Sequence, residues 1–348
     1  MKEKIAGIQV VRGILFILIL CFHCGAPYAA LGWGGVECFF VISSFFLTRK
    51  ILLTDNLCIS THILHRIKRL YPPYIIILIP ALLYSFVILR KIPVDLPIFL
   101  LSLQNFMWIN TNYVSPMQPI TAHTWTITIE IWLGTLWLIL LLSNRSRVKK
   151  ICYIAIFSAI MIRTLGIWLN CGPIFITLFP LAHADSFGIG GLLAVKSLEE
   201  NKPGGGYFAA AMGSIGLLGI IASMLKIANN NGINIMSAYY LFSSSSNYLN
   251  NVISGNIYLF LSMLSFTILS VIIFNKNQIG LFFKPLASLG NISYEMYLFH
   301  WPILYVCANS IFKGKNLTWY ISAIIYFCST LVAVLIYNMF KNLFIRKS

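Results

Sequence analysis

The chain has 348 residues, of which 59% are hydrophobic and only 10% are charged, and its mean hydropathy is +0.83. These are too few polar side chains to cover a water-soluble protein of this length, so the composition indicates a polytopic membrane protein. The net charge of +16 would suggest nucleic acid binding in a soluble chain. Here the basic residues lie between apolar runs, where membrane topology explains them, and no nucleic acid partner is expected.

Apolar runs long enough to cross a bilayer as helices recur along the chain. We predict an all-α transmembrane helical bundle in a single domain, residues 1–348. It has about ten spans, at 6–24, 34–53, 71–89, 123–142, 150–168, 174–195, 207–227, 256–274, 287–309 and 319–340. The first run leads into the second without a signal-peptide cleavage pattern, which favours a first span over a removed leader.

Two stretches between these runs are more polar. The stretch 96–108 is too short to cross and carries Gln104 and Asn105, so we expect it to lie at the interface or to re-enter the membrane. The segment at about 228–255 is rich in Asn and Ser. We predict that it forms a polar outer loop that faces the substrate.

Lysine and arginine are distributed unevenly between alternate loops. Eighteen fall in one set and five in the other, and because positive loops stay in the cytoplasm, both termini are predicted to be cytoplasmic. The eight cysteines fall mostly within apolar runs, as free thiols that pack as small hydrophobes do. Cys21-x-x-Cys24 lacks a second ligand pair, so neither a metal site nor a disulfide framework is predicted.

Ionisable residues within apolar spans are the candidate functional residues, because each costs about 2.5–3.5 kcal/mol to insert. They are Arg12, His23, Glu37, His123, Glu130, Arg163, Asp185, Glu295 and His300, with His183 beside Asp185.

Arg12 and His23 are eleven residues apart, which places them on one face of a helix about 16 Å apart. This spacing suits a long substrate whose phosphates bind at the cytoplasmic end and whose reactive group lies deep in the membrane, as in acyl-coenzyme A. The alternatives are an arginine that snorkels to the membrane surface and a core histidine that a neighbour satisfies. A short loop joins the first two spans, so Glu37 is expected near His23, where it would orient the imidazole; Glu37 could instead pair with a cation.

The stretch "HRIKRLYPPYI" places Arg66 and Arg69 on one helical face on the same side as Arg12, where guanidinium groups could bind phosphates. The alternative is an anchor for anionic lipid. Pro72 and Pro73 favour the start of a new element there.

Further candidates lie in two later stretches. In "HTWTITIE", Glu130 lies too deep for an interfacial residue, whereas Trp125 could be an ordinary aromatic-belt residue. In "SYEMYLFHWPIL", Tyr294 and His300 could bind a sugar, although membrane anchoring predicts the same residue types.

In this order, the motifs resemble those of the acyltransferase-3 family of integral-membrane O-acyltransferases over essentially the whole chain. Its Arg-x10-His signature matches Arg12 and His23, and "GGVxxFFVxSGF" resembles 34–45. The family's "RRIxRxYPPY" resembles 66–74, "HxWSLSVE" resembles 123–130, and "SYSxYLxHWPI" resembles 293–303. This chain departs from the pattern at Gln9, Val10, Ser44 and Ile131, of which Gln9 and Ile131 replace common acids.

The resemblance implies transfer of an acyl group, most commonly acetyl, from cytoplasmic acyl-CoA to a hydroxyl of a cell-surface or lipid-linked carbohydrate. It implies no tightly bound cofactor, because acyl-CoA is a substrate, and it implies the bacterial cytoplasmic (inner) membrane, with no prediction of oligomeric state. His23 would be the general base or would carry the acyl group, with Glu37 and Glu130 assisting. Arg12, Arg66 and Arg69 would bind the donor, and Trp125, Tyr294 and His300 the acceptor. The competing functions are a transporter or flippase for a lipid-linked glycan and a structural membrane subunit.

Overall fold

A computed structural model describes residues 6–54, 58–199, 205–244, 249–274, 280–313 and 317–345, which contain helices and no strand. The helices are α1 Ala6–His23, α2 Gly35–Leu53, α3 Ile59–Leu83, α4 Leu96–Leu100, α5 Gln104–Asn110, α6 Gln118–Thr121, α7 Trp125–Ser143, α8 Val148–Trp168, α9 Gly172–Leu178, α10 Ala184–Leu198, α11 Gly205–Asn231, α12 Ile235–Ser244, α13 Val252–Gly255, α14 Ile257–Phe274, α15 Lys284–Asn291, α16 Ser293–Val306 and α17 Trp319–Ile345.

Within these residues, eight helical segments are long and apolar enough to cross a membrane. They are Ala6–His23, Ala30–Leu53, Ile59–Ile88, Gln118–Ser143, Arg145–Trp168, Gly206–Asn231, Ile257–Phe274 and Trp319–Lys341. The predicted all-α polytopic bundle is confirmed, whereas the number of crossings and the cytoplasmic termini stay predictions.

The other two predicted spans are broken helices. The span 174–195 is divided into α9 and α10, because Pro180 lacks an N–H and the preceding Phe179 is extended, with ψ of 119°. The span 287–309 is divided between α15 and α16. Each piece is shorter than a bilayer-crossing helix, and broken helices are tolerated at membrane depth where protein surrounds them.

Helix α3 passes through the two prolines that were expected to begin a new element, so that prediction is wrong. Pro72 and Pro73 lie inside α3, and the basic residues before them belong to the same helix. Prolines are tolerated inside membrane helices because neighbouring groups can satisfy the carbonyls that they free. The Tyr294 hydroxyl donates to the Leu70 carbonyl oxygen of this helix at 2.8 Å.

Helix α10 lies at the centre of the bundle and packs closely on α2. A Cβ atom on Gly190 would lie 2.3 Å from the Val41 carbonyl oxygen, so the glycine permits this approach, as small residues do between membrane helices. Ser44 of α2 is fully buried, and its hydroxyl donates to the Phe187 carbonyl oxygen at 2.5 Å. The departure at Ser44 therefore supplies a hydrogen bond between the two central helices.

The two polar stretches have different structures. The stretch 96–108 forms the short helices α4 and α5, in which the Asn105 amide donates to the carbonyl oxygens of Trp125 and Leu178 at 2.9 and 2.8 Å. The segment 228–255 was predicted to be a loop, but it contains the end of α11, α12 and α13. In α12, the Tyr239 hydroxyl donates to the Tyr28 carbonyl oxygen, which ties this region to the connection between α1 and α2.

Candidate active site

Helix α16 contacts both Arg12 and His23 of α1. The Arg12 Nε atom donates a hydrogen bond to Ser293 Oγ at 3.1 Å. The His23 ring lies 4.8 Å from the Trp301 ring and 5.3 Å from the His300 ring, centroid to centroid. Ser293 begins α16 and His300 lies about two turns further on, so α1 and α16 run side by side in the same direction. Arg12 and His23 therefore face one common neighbour.

A cluster of charged side chains lies around Arg12, and we call it the cation group. Its members are Arg12, Arg66, Arg69, Lys341, Glu130 and Glu295. Arg12 is close enough to Arg69, Glu130 and Glu295 for their charges to interact, and Lys341 Nζ is 3.8 Å from Glu295 Oε1. Four cations lie among two carboxylates in this part of the described structure, which favours an anionic ligand.

Glu130 holds Arg66 in position. Arg66 Nη2 donates to the Glu130 carbonyl oxygen at 2.6 Å and to its Oε1 at 3.2 Å. Ser43 Oγ donates to the same carboxylate oxygen at 2.6 Å. Gly134 leaves space for the guanidinium, because a Cβ atom there would lie 2.2 Å from Nη2. Glu130 thus lies among the predicted donor-binding arginines rather than beside Trp125.

Tyr294 connects α16 to this group. Its hydroxyl bonds to the carbonyl oxygen of Leu70, next to Arg69, and the ring is close enough to Arg69 and Glu130 for electrostatic interaction. Tyr294 was expected to bind a sugar. In the structure its hydroxyl joins α16 to α3 beside the cation group.

Three histidines meet further along the contact between α1 and α16, and we call His23, His123 and His300 the histidine group. The ring centroids of His23 and His300 are 5.3 Å apart, and those of His123 and His300 are 5.5 Å apart. His300 is fully buried and His123 is 5% exposed, while His23 is half-buried. The structure therefore brings His123, which had no predicted role, beside two predicted site residues.

Pro302 explains the orientation of His123. Proline has no N–H, so the Leu298 carbonyl four residues earlier lacks its helical donor, and His123 Nε2 lies 2.9 Å from that oxygen. A carbonyl oxygen only accepts, so Nε2 carries the ring proton and Nδ1 does not. His300 Nδ1 donates in the same way to the Tyr297 carbonyl oxygen. The two remaining nitrogens, His123 Nδ1 and His300 Nε2, are buried and have no hydrogen-bond partner among the described residues.

Glu37 does not orient His23, so the predicted carboxylate–imidazole pair is wrong. Glu37 Oε1 lies 2.8 Å from His183 Nδ1, and its other oxygen accepts a hydrogen bond from Ser186 Oγ. The physical reason is the break at Pro180, because it places the start of α10 against the first turn of α2, where it binds both carboxylate oxygens.

His183 has no ring nitrogen free for a substrate. Its Nε2 lies 2.9 Å from the Thr177 carbonyl oxygen, which requires a donor. Either His183 carries both ring protons or Glu37 carries the shared one, and in both cases each nitrogen is in a hydrogen bond. Trp125 packs beside this pair, with its ring 5.8 Å from that of His183. Glu37 and Trp125 therefore belong to a buried network that supports the broken helix.

Two further buried charges, Arg163 and Asp185, are paired with each other. Arg163 Nη2 lies 2.6 Å from Asp185 Oδ2, and both side chains are fully buried. Arg163 Nε donates to Asn256 Oδ1 at 3.1 Å. This pairing explains how α8 and α10 accommodate their charges, because a buried ion pair is stable when further hydrogen bonds satisfy it.

Sequence reasoning gave no role to several residues that contact these groups. They are Ser43, Gly134, His123, His183 and Ser293. His123 and His183 could be found as titratable residues in apolar spans, whereas serine and glycine carry no such signal. Among the described residues, no group of three or more His, Cys, Asp or Glu could hold a metal ion.

Apolar helices that enclose a cation group and a histidine group define an integral membrane protein with an internal polar site. The sequence model of the acyltransferase-3 family, described as an acyltransferase domain, matches residues 5–338. The chain therefore belongs to this family, which confirms the resemblance carried by the motifs.

The chain is similar to the O-acetyltransferase OatA of Staphylococcus aureus strains NCTC 8325, COL and MRSA252, with 21% identity over 366 residues in each case. These matches cover 97% of this chain and 56% of each relative, so the chain spans about half the length of the curated relatives it matches. No solved structure matches the chain significantly.

Proposed function

We propose that this chain is a membrane O-acyltransferase that moves an acyl group, expected to be acetyl, from cytoplasmic acyl-CoA to a carbohydrate hydroxyl. The observation that carries the proposal is the placement of Arg12 and His23 of α1 against one helix, α16, in a member of an acyltransferase family. The name of the OatA relatives supports acetyl as the group transferred to oxygen. We place the reaction in the bacterial cytoplasmic membrane.

The cation group is the proposed donor site. Coenzyme A carries phosphates, and guanidinium groups bind phosphate oxygens through paired N–H donors. Arg12 already has one donor, Nε, fixed by Ser293 Oγ at 3.1 Å, and Glu130 fixes Arg66 by two bonds. Both guanidinium groups are therefore preorganised, which lowers the entropy cost of donor binding. In this proposal Glu130 positions Arg66 and takes no part in acyl transfer.

His23 is the proposed general base. As the acceptor oxygen bonds to the thioester carbonyl carbon, its proton passes to the unprotonated nitrogen of His23. The tetrahedral intermediate then expels the coenzyme A thiolate, which takes the proton back from the imidazolium and leaves an ester and a thiol. The rings of Trp301 and His300 bound the His23 ring on the α16 side, so these contacts, rather than Glu37, orient it.

Transfer of radiolabelled acetyl groups by membranes that contain the protein tests this assignment. We expect His23→Ala to lower transfer by about a hundredfold to ten-thousandfold, the usual contribution of a general base. The matched control is His65→Ala, because His65 is exposed on α3 and bonds to the Thr61 carbonyl oxygen of its own helix. Equal activity of the folded His23→Ala protein and this control would refute the base assignment.

A second measurement separates transfer from transport. Glycan from cells that lack the protein should be present at the surface without its acyl mass increments. Loss of the surface glycan itself would instead favour the flippase function.

A further inference from the structure

The histidine group contains two buried acceptor atoms that the proposed reaction does not use. They are His123 Nδ1 and His300 Nε2, and each lies on a ring whose other nitrogen donates to a carbonyl oxygen of α16. Neither nitrogen carries a proton, so the two rings cannot satisfy each other by hydrogen bonding. Each lone pair requires a donor from outside these rings.

The surroundings of the two nitrogens are rigid. The Tyr297 hydroxyl donates to the His123 carbonyl oxygen at 3.1 Å. The Trp301 Nε1 donates to the Pro119 carbonyl oxygen at 3.0 Å, so the indole that packs against His23 is fixed. Aromatic walls with a few fixed acceptors are typical of a pocket that selects a ligand by its hydroxyl groups.

We propose that His123 Nδ1 and His300 Nε2 form a diol subsite. They accept hydrogen bonds from two hydroxyls of the acceptor as it binds. A further hydroxyl then meets His23, or one of the pair turns its O–H from His300 Nε2 to His23, whose ring is 5.3 Å from that of His300, while the other hydroxyl stays bound to His123 Nδ1. The inference rests on the proposed function and deepens it, because it names the two nitrogen atoms that bind neighbouring hydroxyls of the acceptor. His123 and His300 act in binding and positioning, and His23 remains the base.

The proposal predicts discrimination against an acceptor with a single hydroxyl. A site with fixed acceptors leaves them unpaired when the ligand lacks a donor, and an unpaired buried group is costly. The probes are cyclohexane-1,2-diol and cyclohexanol, which share a ring and differ by one hydroxyl. With purified protein in detergent and radiolabelled acetyl-CoA, we expect kcat/KM for the diol to exceed that for the mono-alcohol by at least about tenfold.

The variant His123→Phe keeps an aromatic ring and removes the acceptor nitrogen. We expect the diol preference to fall to within about threefold of unity, whereas the exposed-site control His65→Phe should keep the wild-type ratio. A folded His123→Phe protein with the full preference would overturn the proposal, as would a wild-type protein without one. If wild-type protein transfers acetyl to neither probe nor to its glycan, the proposed function itself fails.

A measurement on unaltered protein covers the case in which His123→Phe does not fold. Diethyl pyrocarbonate modifies unprotonated imidazole nitrogens, and peptide mass spectrometry locates the product. Saturating diol should protect His123 and His300 at least about threefold more than cyclohexanol does, and His65 should be modified equally in both. Equal modification of His123 and His300 with either alcohol would overturn the diol subsite.

The variant Pro302→Ala tests the origin of the subsite. Alanine returns an N–H that competes with His123 Nε2 for the Leu298 carbonyl oxygen, now 2.9 Å from that nitrogen. His123 is then free to rotate, and we expect the diol preference to fall several-fold. An unchanged preference would show that the carbonyl does not set the orientation of His123, contrary to the proposed geometry.

Discussion

Replacing Gly134 by alanine tests whether the position of Arg66 determines donor binding. The added Cβ atom would lie 2.2 Å from Nη2 and 2.9 Å from Cζ of Arg66. Ordinary contacts between such atoms are about 3.5 Å, so the guanidinium must move by about 1 Å or more. Arg66 has a long flexible side chain, so it swings aside while α7 stays in place. It then loses its bonds of 2.6 and 3.2 Å to the Glu130 carbonyl oxygen and carboxylate.

The magnitude follows from these bonds. Hydrogen bonds from a charged group contribute about 1.5–3 kcal/mol, whereas alanine stabilises a helix interior by about 0.5–1 kcal/mol relative to glycine. Two such bonds are lost, so the free energy of unfolding of the Gly134→Ala protein should fall by about 2–5 kcal/mol. Loss of the positioned guanidinium should weaken donor binding about tenfold, which corresponds to about 1.4 kcal/mol.

The assay is equilibrium binding of a non-hydrolysable acetyl-CoA analogue to the purified protein, with thermal unfolding measured on the same samples. Gly206→Ala is the matched control, because it makes the same change in a helix where the new Cβ atom would have no neighbour within 4 Å. If both variants bind the analogue with the affinity of the wild-type protein, Arg66 does not contribute to the donor site and the reasoning is refuted.

Three further outcomes follow from close packing and from exposed thiols. Gly190→Ala should lower the melting temperature, because its Cβ atom would lie 2.3 Å from the Val41 carbonyl oxygen and a main-chain atom cannot swing aside. Such overpacking costs about 1–3 kcal/mol. An unchanged melting temperature would contradict the packing of α10 on α2. A hydrogen bond from the Ser60 hydroxyl lowers the pKa of the exposed Cys58 thiol from 9.0 to about 7, so its alkylation rate should rise with pH to a midpoint near that value; a midpoint near the ordinary thiol value would contradict this hydrogen bond. The predicted topology places Cys58 inside the cell and Cys171 outside, and both thiols are exposed. A membrane-impermeant maleimide should therefore label Cys171 in intact cells and Cys58 only after permeabilisation. The reverse order would refute the predicted orientation.

Hydropathy was sufficient to predict the all-α bundle, because membrane spans are defined by length and apolar content. It was not sufficient to find the breaks at Pro180 and between α15 and α16, since an apolar composition does not show where a helix is interrupted. The same limit applies to Pro72 and Pro73. A proline ends a helix in water, but in a bundle neighbouring groups satisfy the carbonyls that it frees, and no local pattern reveals whether such neighbours exist.

The candidate site was predictable where spacing along one helix decides the geometry. Arg12 and His23 lie on one face because of the helical repeat, and the structure places both against α16. Contacts between distant segments were not predictable in the same way. Glu37 was predicted to lie at the depth of His23, but its carboxylate bonds to His183, because the broken helix places that residue against the first turn of α2. The position of a residue along its span predicts its depth in the membrane, but it does not predict which neighbouring helix the side chain contacts.

The distribution of satisfied polar groups separates support from chemistry in this fold. Glu37, Arg163 and Asp185 have partners within the protein, as buried charges must when their task is structural. The acceptor nitrogens of His123 and His300 have none among the described residues. A buried polar atom without a partner costs about 1–3 kcal/mol, and here two lie on adjacent rings beside His23. Other buried polar atoms among the described residues also lack a partner, including both carboxylate oxygens of Asp95. Those of His123 and His300 differ because they lie together beside the proposed base, where one ligand with two hydroxyls would satisfy both.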